Sequence, residues 1–200
     1  MTTCLTLNPY RGDVMAEWCQ SWATQDGKIH TPVEWDNQTR DKSQGENASG
    51  PIQLGADMLD TAIGAATGSV IVFGHGDGAQ VASRWLLKYA DTSGYSDLKF
   101  ILTGNPASAA TPNGHAPWMS HPTPTSTVGG YPIIDIGRAS DGYCRWVPTE
   151  QGSMTSGFFS NLSGMLRDHI LYDIALESTG APTSYLSTAT VGDAVFYTVD

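Results

Sequence analysis

Basic side chains are scarce: lysine and arginine together number 10 against 20 acids, a formal charge of −10 over 200 residues. No basic patch can form to hold a phosphate backbone, and an anionic membrane surface would repel the chain, so nucleic-acid binding is not expected. No run of 18 apolar residues occurs, which leaves no candidate transmembrane segment. Met1-Thr2-Thr3-Cys4 lacks a basic stretch followed by an apolar one, so no secretory signal is read. Cysteine is sparse and odd in number. Cys4, Cys19 and Cys144 show no Cys-x-x-Cys or Cys/His spacing, so buried free thiols are expected, with no metal and no cofactor. His115 and His121 have too few acids beside them to act as metal ligands.

A hydrophobic fraction of 40%, with six Trp and eight Tyr, is enough for a packed core. No internal repeat or boundary interrupts the chain, so residues 1–200 are expected to form one domain. Ser69 to Phe73 is a continuous run of mainly β-branched and aromatic residues, the pattern of a strand buried on both faces. It meets a glycine-dense corner, Gly74-His75-Gly76-Asp77-Gly78, and then a helix from Gln80 to Tyr89 with Val81, Trp85 and Tyr89 at helical spacing. A strand turning sharply into a helix is the setting of the nucleophile elbow, Gly-x-Ser-x-Gly. Both framing glycines are present, and the serine position is Gly76. Glycine adopts the strained elbow dihedrals freely, where a residue with a Cβ would cost about 1–3 kcal/mol. The plainer reading is a glycine-rich turn and nothing more.

Other elements follow in order. Cys4 to Asn8 reads as a strand, Val14 to Thr24 as a helix with Trp18 and Trp22 on one face, and Ile29 to Trp35 as a short strand pushed to an edge by Pro32. Asp36 to Gly50 is a polar loop. Ser49 before Pro51 suits a helix start, and that helix runs to about Ala66 with Ile52, Ala56, Leu59 and Ile63 inward. Leu98 to Thr103 and Tyr131 to Ile136 are buried strands. Between them, Gly104 to Gly130 holds five prolines and no periodicity, a length that suits a loop over a site, or a decorated surface loop. Met154 to Ile170 is amphipathic, and within Ser184 to Asp200 the alternation in Ser184 to Leu186 and Ala194 to Val199 suggests a terminal hairpin or an added edge strand, with Ala194 to Val199 able to pair with a neighbour's sheet edge. Strands alternating with helix-length crossovers give an α/β class: a three-layer sandwich with a central, mainly parallel sheet. Ligands in such sheets gather beyond the C-terminal strand ends, where Gly74 to Gly78, Gly104 to Pro106 and the segment after Ile136 converge.

Hydrolase triads of this kind run serine, acid, histidine along the chain. Downstream of Gly76, Asp141 follows a strand and His169 follows the last long helix. Asp141-Gly142 is also a common turn pair, and a histidine at a helix C-terminus is favoured by the dipole alone.

On these residues the chain resembles serine α/β-hydrolases of the cutinase-like group, and most closely the PE-PPE domain of mycobacteria and related mycobacteriophage esterases. Val72 to Ala82 is similar to that family's elbow with the serine changed, and Leu102-Thr103-Gly104-Asn105-Pro106 to its Gly-Asn-Pro strand end. Ser140-Asp141-Gly142 with Trp146-Val147-Pro148 resembles its acid loop, and His169-Ile170-Leu171-Tyr172 its His-x-x-Tyr. The likeness spans roughly residues 3 to 190. It implies Asp141 as the orienting acid and His169 as the base. It also implies oxyanion donors at the Asp77 amide and in the turn near Asn8 to Arg11, with His75, Asn105 and Trp118 around the pocket or its lid. His75, as the residue before the nucleophile position, is expected to point away from the pocket.

With Gly76 in place His169 has no hydroxyl to deprotonate, and losing the serine of a triad costs on the order of a millionfold in turnover. The first expectation is therefore an inactive hydrolase scaffold with a structural or envelope-binding role. It would act as a minor tail or capsid-surface protein of a mycobacteriophage virion, partnered by other virion proteins or by host lipid or glycan esters. Off the virion, the missing signal leaves the cytoplasm. The second is an active esterase on lipid esters, seen with its serine replaced. The third is a flavodoxin-like binding domain unrelated to hydrolases, with Asp141 and His169 far apart.

Overall fold

Runs of β-branched and aromatic residues build the centre of one seven-stranded sheet in the structure, a computed structural model. It describes residues 1–9, 21–37, 50–92, 94–109, 122–127, 129–141, 144 and 174–200. The strands are β1 (Thr2–Leu7), β2 (Ile29–Pro32), β3 (Ser69–His75), β4 (Leu98–Thr103), β5 (Ile133–Arg138), β6 (Ser187–Val191) and β7 (Ala194–Val199). Their order is β2-β1-β3-β4-β5-β7-β6, and every neighbouring pair is parallel except the β6–β7 hairpin. The expected α/β sandwich around a mainly parallel sheet is what forms.

Side chains alternate between two cores, as the twofold period of a strand requires. On one face Leu5, Leu7, Val70, Val72, Phe100 and Leu102 meet two helices, α1 (Pro51–Ala65) and α2 (Asp77–Tyr89). Trp85 is wholly buried there among Tyr95, Phe100 and Tyr131, and its indole N–H donates to Asp60 Oδ1 at 3.0 Å. On the other face Cys4, Phe73, Ile101, Ile134 and Ile136 pack with Trp22, Ala23, Ile174 and Leu176. Trp22 closes that side by donating to the Glu177 carbonyl at 2.8 Å. Burial pushes the Cys4 thiol up to about 12, with Lys28 pulling weakly the other way. Cys4 and Cys144 are buried free thiols. Cys19 lies outside the described residues.

Several boundaries differ from expectation. α1 begins at Pro51 with Gly50, not Ser49, as its N-cap, because the residue before a proline is held extended (φ −71°, ψ 155°). α2 begins three residues before Gln80, directly at the corner. β2 ends at Pro32 instead of running to Trp35, since proline has no N–H for the ladder. In the tail, the Gly192-Asp193 turn pins Val191 to Ala194, so the hairpin's first strand is Ser187–Val191 and not Ser184 to Leu186. Ala194–Val199 cannot pair with a neighbour's sheet, because β5 and β6 already flank it. The helix expected over Val14 to Thr24 is described only at its end, where residues 21–23 are helical. The Met154 to Ile170 helix and most of the 36–50 loop lie outside the described residues.

Candidate active site

The corner after β3 is held by three glycines for two different reasons. Gly76 has φ 55° and ψ −117°, a sparsely populated region that a residue with a Cβ enters only at a cost in strain. Gly74 and Gly78 are needed for space. A Cβ on Gly74 would lie 2.7 Å from the Gly78 carbonyl oxygen, and one on Gly78 would lie 2.1 Å from that of Leu7. The corner is closed by hydrogen bonds on both sides: the Gly76 N–H donates to the Thr103 carbonyl at 3.0 Å, and the Gln80 N–H to the Gly76 carbonyl at 3.1 Å. α2 therefore starts at the strand end, with the positive end of its dipole at the corner.

Asp77 is the first residue of α2 and is buried, its Oδ1 accepting from Gln80 Nε2 at 2.6 Å. Its backbone amide belongs to the first turn, where a helix supplies no internal acceptor. Asn8 stands one residue past β1, and its carbonyl oxygen is 2.9 Å from the Cβ position of Gly78. The turn after β1 is thus brought against the start of α2. Residues 10 and 11 of that turn lie outside the described residues.

Sheet register carries the corner towards Asp141. His75 pairs with Thr103 on β4, and Thr103 with Ile136 on β5. Gly76 and the segment after Ile136 therefore leave the same end of the sheet two strands apart, about 10 Å. After β5 the chain turns through Ala139, whose N–H donates to the Val199 carbonyl at 2.9 Å, to reach Asp141. Asp141 is fully buried, and the Cys144 thiol donates to its Oδ2 at 3.3 Å. His169, the expected base, lies outside the described residues, as does Trp118.

His75 is buried with its Nδ1 3.1 Å from the Thr103 carbonyl and 3.0 Å from Thr103 Oγ1. A carbonyl only accepts, so Nδ1 carries the proton in that contact. Asn105 is buried at the centre of a polar network. Its Nδ2 donates to Thr123 Oγ1 at 2.9 Å and to Asp135 Oδ2 at 3.0 Å, and its Oδ1 accepts from the Ala107 N–H at 3.0 Å. Thr123 Oγ1 also lies 2.8 Å from Ser83 Oγ on α2. The far end of the long loop is thereby tied to the elbow helix and to β5. Sequence reasoning missed Asp135, Thr123 and Cys144. For Asp135 a signal existed, a carboxylate inside an otherwise apolar strand, which must find partners when buried.

Among the described residues no cluster of three or more histidines, cysteines or acids could hold a metal, and no helix is long and apolar enough to cross a membrane. A cavity of about 240 Å³ lined by Ile63, Gly68, Val70, Tyr95 and Leu98 opens at the start of β3 and β4, the opposite end of the sheet from the corner.

This architecture, a mostly parallel sheet with a glycine elbow at the C-terminal end of a central strand, is an α/β-hydrolase fold. It is similar to a cutinase-like protein from Cryptococcus sp., at 13% identity and TM-score 0.50, over 92% of this chain and 97% of that one. Weaker likenesses are to a protein from Pectobacterium atrosepticum titled a YdeN-like hydrolase (13% identity, TM-score 0.49, 73% of this chain and 68% of that one) and to the RedJ thioesterase of Streptomyces coelicolor (14%, 0.45, 70% and 67%). The PE-PPE domain model matches residues 23–141, more than half of the sequence, and the chain belongs to that family. The match takes in Gly76 and ends at Asp141, short of His169. No curated protein matches the sequence significantly.

Proposed function

We propose that this chain is an ester-recognising member of the PE-PPE family that lacks the family's nucleophile, a hydrolase scaffold that binds an acyl ester without forming an acyl-enzyme. One observation carries the reading. The residue with elbow dihedrals, φ 55° and ψ −117°, between two sterically obligatory glycines, is Gly76 and has no side chain to attack with. Asp141 would orient His169, and the amides at Asp77 and near Asn8 would hold the carbonyl oxygen. Without a hydroxyl at residue 76 the imidazole has only water to activate.

The test is hydrolysis of short-chain p-nitrophenyl esters by the native chain and by Gly76→Ser. The native chain should turn over near the uncatalysed rate. In the variant, the new hydroxyl attacks the ester carbonyl, its proton passes to His169, and the alcohol leaves with that proton; water, deprotonated by His169, then takes the acyl group as the acid and the serine hydroxyl is restored. Turnover should then rise by several orders of magnitude. Enzyme-like rates in the native chain would overturn the proposal. The intact packing at Gly74 and Gly78 favours a second reading, an esterase whose serine has been exchanged for glycine. A fast Gly76→Ser variant fits both readings, and a silent one counts against the second, because the acid and base would have decayed as well.

The role that goes with this reading is structural or host-binding, on the tail or capsid surface of a mycobacteriophage, with residues 1–200 as one domain. It draws on the resemblance to phage esterases. Mass spectrometry of purified particles and a pull-down on mycobacterial envelope lipids test it.

A further inference from the structure

The two edges of the sheet are guarded differently. β2 is four residues long, ends in Pro32, and has Lys28 just before it, the usual devices against strand pairing. β6 has none of them. Ser187–Val191 is exposed along its whole length and holds no charge and no proline. From Ser178 to Gly192 no side chain is charged, in a sequence whose net charge is −10.

Backbone geometry sets what this edge offers. Val191 and Ala194 flank a two-residue turn, with Ala189 opposite Phe196 and Thr190 opposite Val195. The pair beside such a turn exchanges hydrogen bonds and pairs alternate from there. The N–H and C=O groups of Val191 and Ala189 therefore face β7, and those of Thr188 and Thr190 face away from the sheet.

We propose that this edge pairs with the same edge of a second copy of the chain, β6 antiparallel to β6, about a two-fold axis at Ala189. In that register Thr188 lies opposite the partner's Thr190, and both outward residues exchange hydrogen bonds. Ala189 faces the partner's Ala189, and Ser187 the partner's Val191. All five residues of the strand are matched, with threonine pairs at favourable positions. Leu186, 60% exposed, comes opposite the partner's Gly192. A second copy is favoured over an unrelated strand because the sequence is self-complementary in this register, and because the edge is where a chain so acidic can meet itself without like-charge repulsion. One strand pair covers less area than a standard interface, so the dimer is weak and concentration-dependent.

Sedimentation equilibrium of the full chain from about 1 μM to about 1 mM should show a rise towards twice the monomer mass. Thr188→Pro removes an outward N–H and leaves the β6–β7 ladder whole, and Thr190→Glu adds charge beside the axis. Each should weaken the dimer at least about tenfold with unchanged circular dichroism. Ala189→Cys, oxidised with copper–phenanthroline as electron acceptor, should give a disulfide-linked dimer faster than the exposed control Ser178→Cys. This arm decides the matter even if the proline variant fails to fold. A monomer across the whole range, a dimer unmoved by both edge variants, or cross-linking at residue 189 no faster than at 178 would overturn the proposal.

Discussion

The Cα of Gly78 and the carbonyl oxygen of Leu7 approach so closely that a Cβ would stand 2.1 Å from that oxygen. The start of α2 is thereby pressed onto the end of β1. This single contact brings the elbow and the turn carrying Asn8 to one place, which neither element achieves alone.

Gly78→Ala should therefore be among the most damaging alanine substitutions in the chain. The atom in the way is backbone in a central strand and cannot swing aside, so a loss of about 3 kcal/mol or more is expected. Gly94→Ala makes the contrast: Gly78 is helical and its cost is steric alone, whereas Gly94 has a φ of 64° and nothing within 4 Å of its Cβ position. That variant should lose only about 1–2 kcal/mol. Urea midpoints compare the two, and equal losses would mean that the contact with Leu7 relaxes at little cost.

At Gly76 the cost is conformational. Gly76→Ser and Gly76→Ala should each lose about 1–3 kcal/mol, because both place a Cβ at φ 55°. Thermal melts should show similar drops for the two, while ester hydrolysis rises for serine alone. A stability loss unique to serine would point to a clash of its hydroxyl and not to the backbone.

Much of this was readable from residue pattern. The nearly all-apolar runs at 69–73 and 98–103 become central parallel strands because only strands buried on both faces tolerate them. The corner was legible from the three spaced glycines, and the register of β3, β4 and β5 shows why Asp141 arrives at the same end of the sheet. The terminal hairpin was legible too, but its first strand lies beyond the alternation at Ser184 to Leu186, because that alternation is a local signal while the strand is set by the turn at Gly192-Asp193. The Asn105 network was invisible for a related reason. Its partners are 18 and 30 residues away, and no spacing rule links them.

That network makes Asn105 a stability residue. Asn105→Ala withdraws a donor from the buried Asp135 carboxylate and from Thr123, so a loss of about 1.5–3 kcal/mol is expected. Ser83→Ala should cost about 1 kcal/mol, since Thr123 Oγ1 keeps its contacts with Asn105 and the Ala107 carbonyl. The double variant should fall short of the sum, because both changes act on the same hydroxyl. Strict additivity in denaturant melts would show that the two bonds to Thr123 are independent.

The tie between α1 and α2 should appear as an acid limb in the stability profile. Asp57 Oδ1 accepts from Tyr89 OH at 2.5 Å, Lys88 Nζ at 3.0 Å and Gln53 Nε2 at 2.6 Å. Burial works to raise its carboxyl, and these hydrogen bonds outweigh it and hold the group below its ordinary value. A carboxyl depressed in the folded state binds its proton more readily when unfolded. Its contribution is thus complete above the unfolded value near 4 and is lost as the pH falls through the folded one. The Lys88 and Asp57 side chains are 39% and 41% exposed, so water screens the ion pair and the neutral donors carry most of the effect. Asp57→Asn should melt lower than the native chain at pH 7. Between about pH 5 and pH 2 it should lose less melting temperature than the native chain does. Parallel acid slopes for the two proteins would show that the carboxylate is as comfortable in the unfolded chain as between the helices.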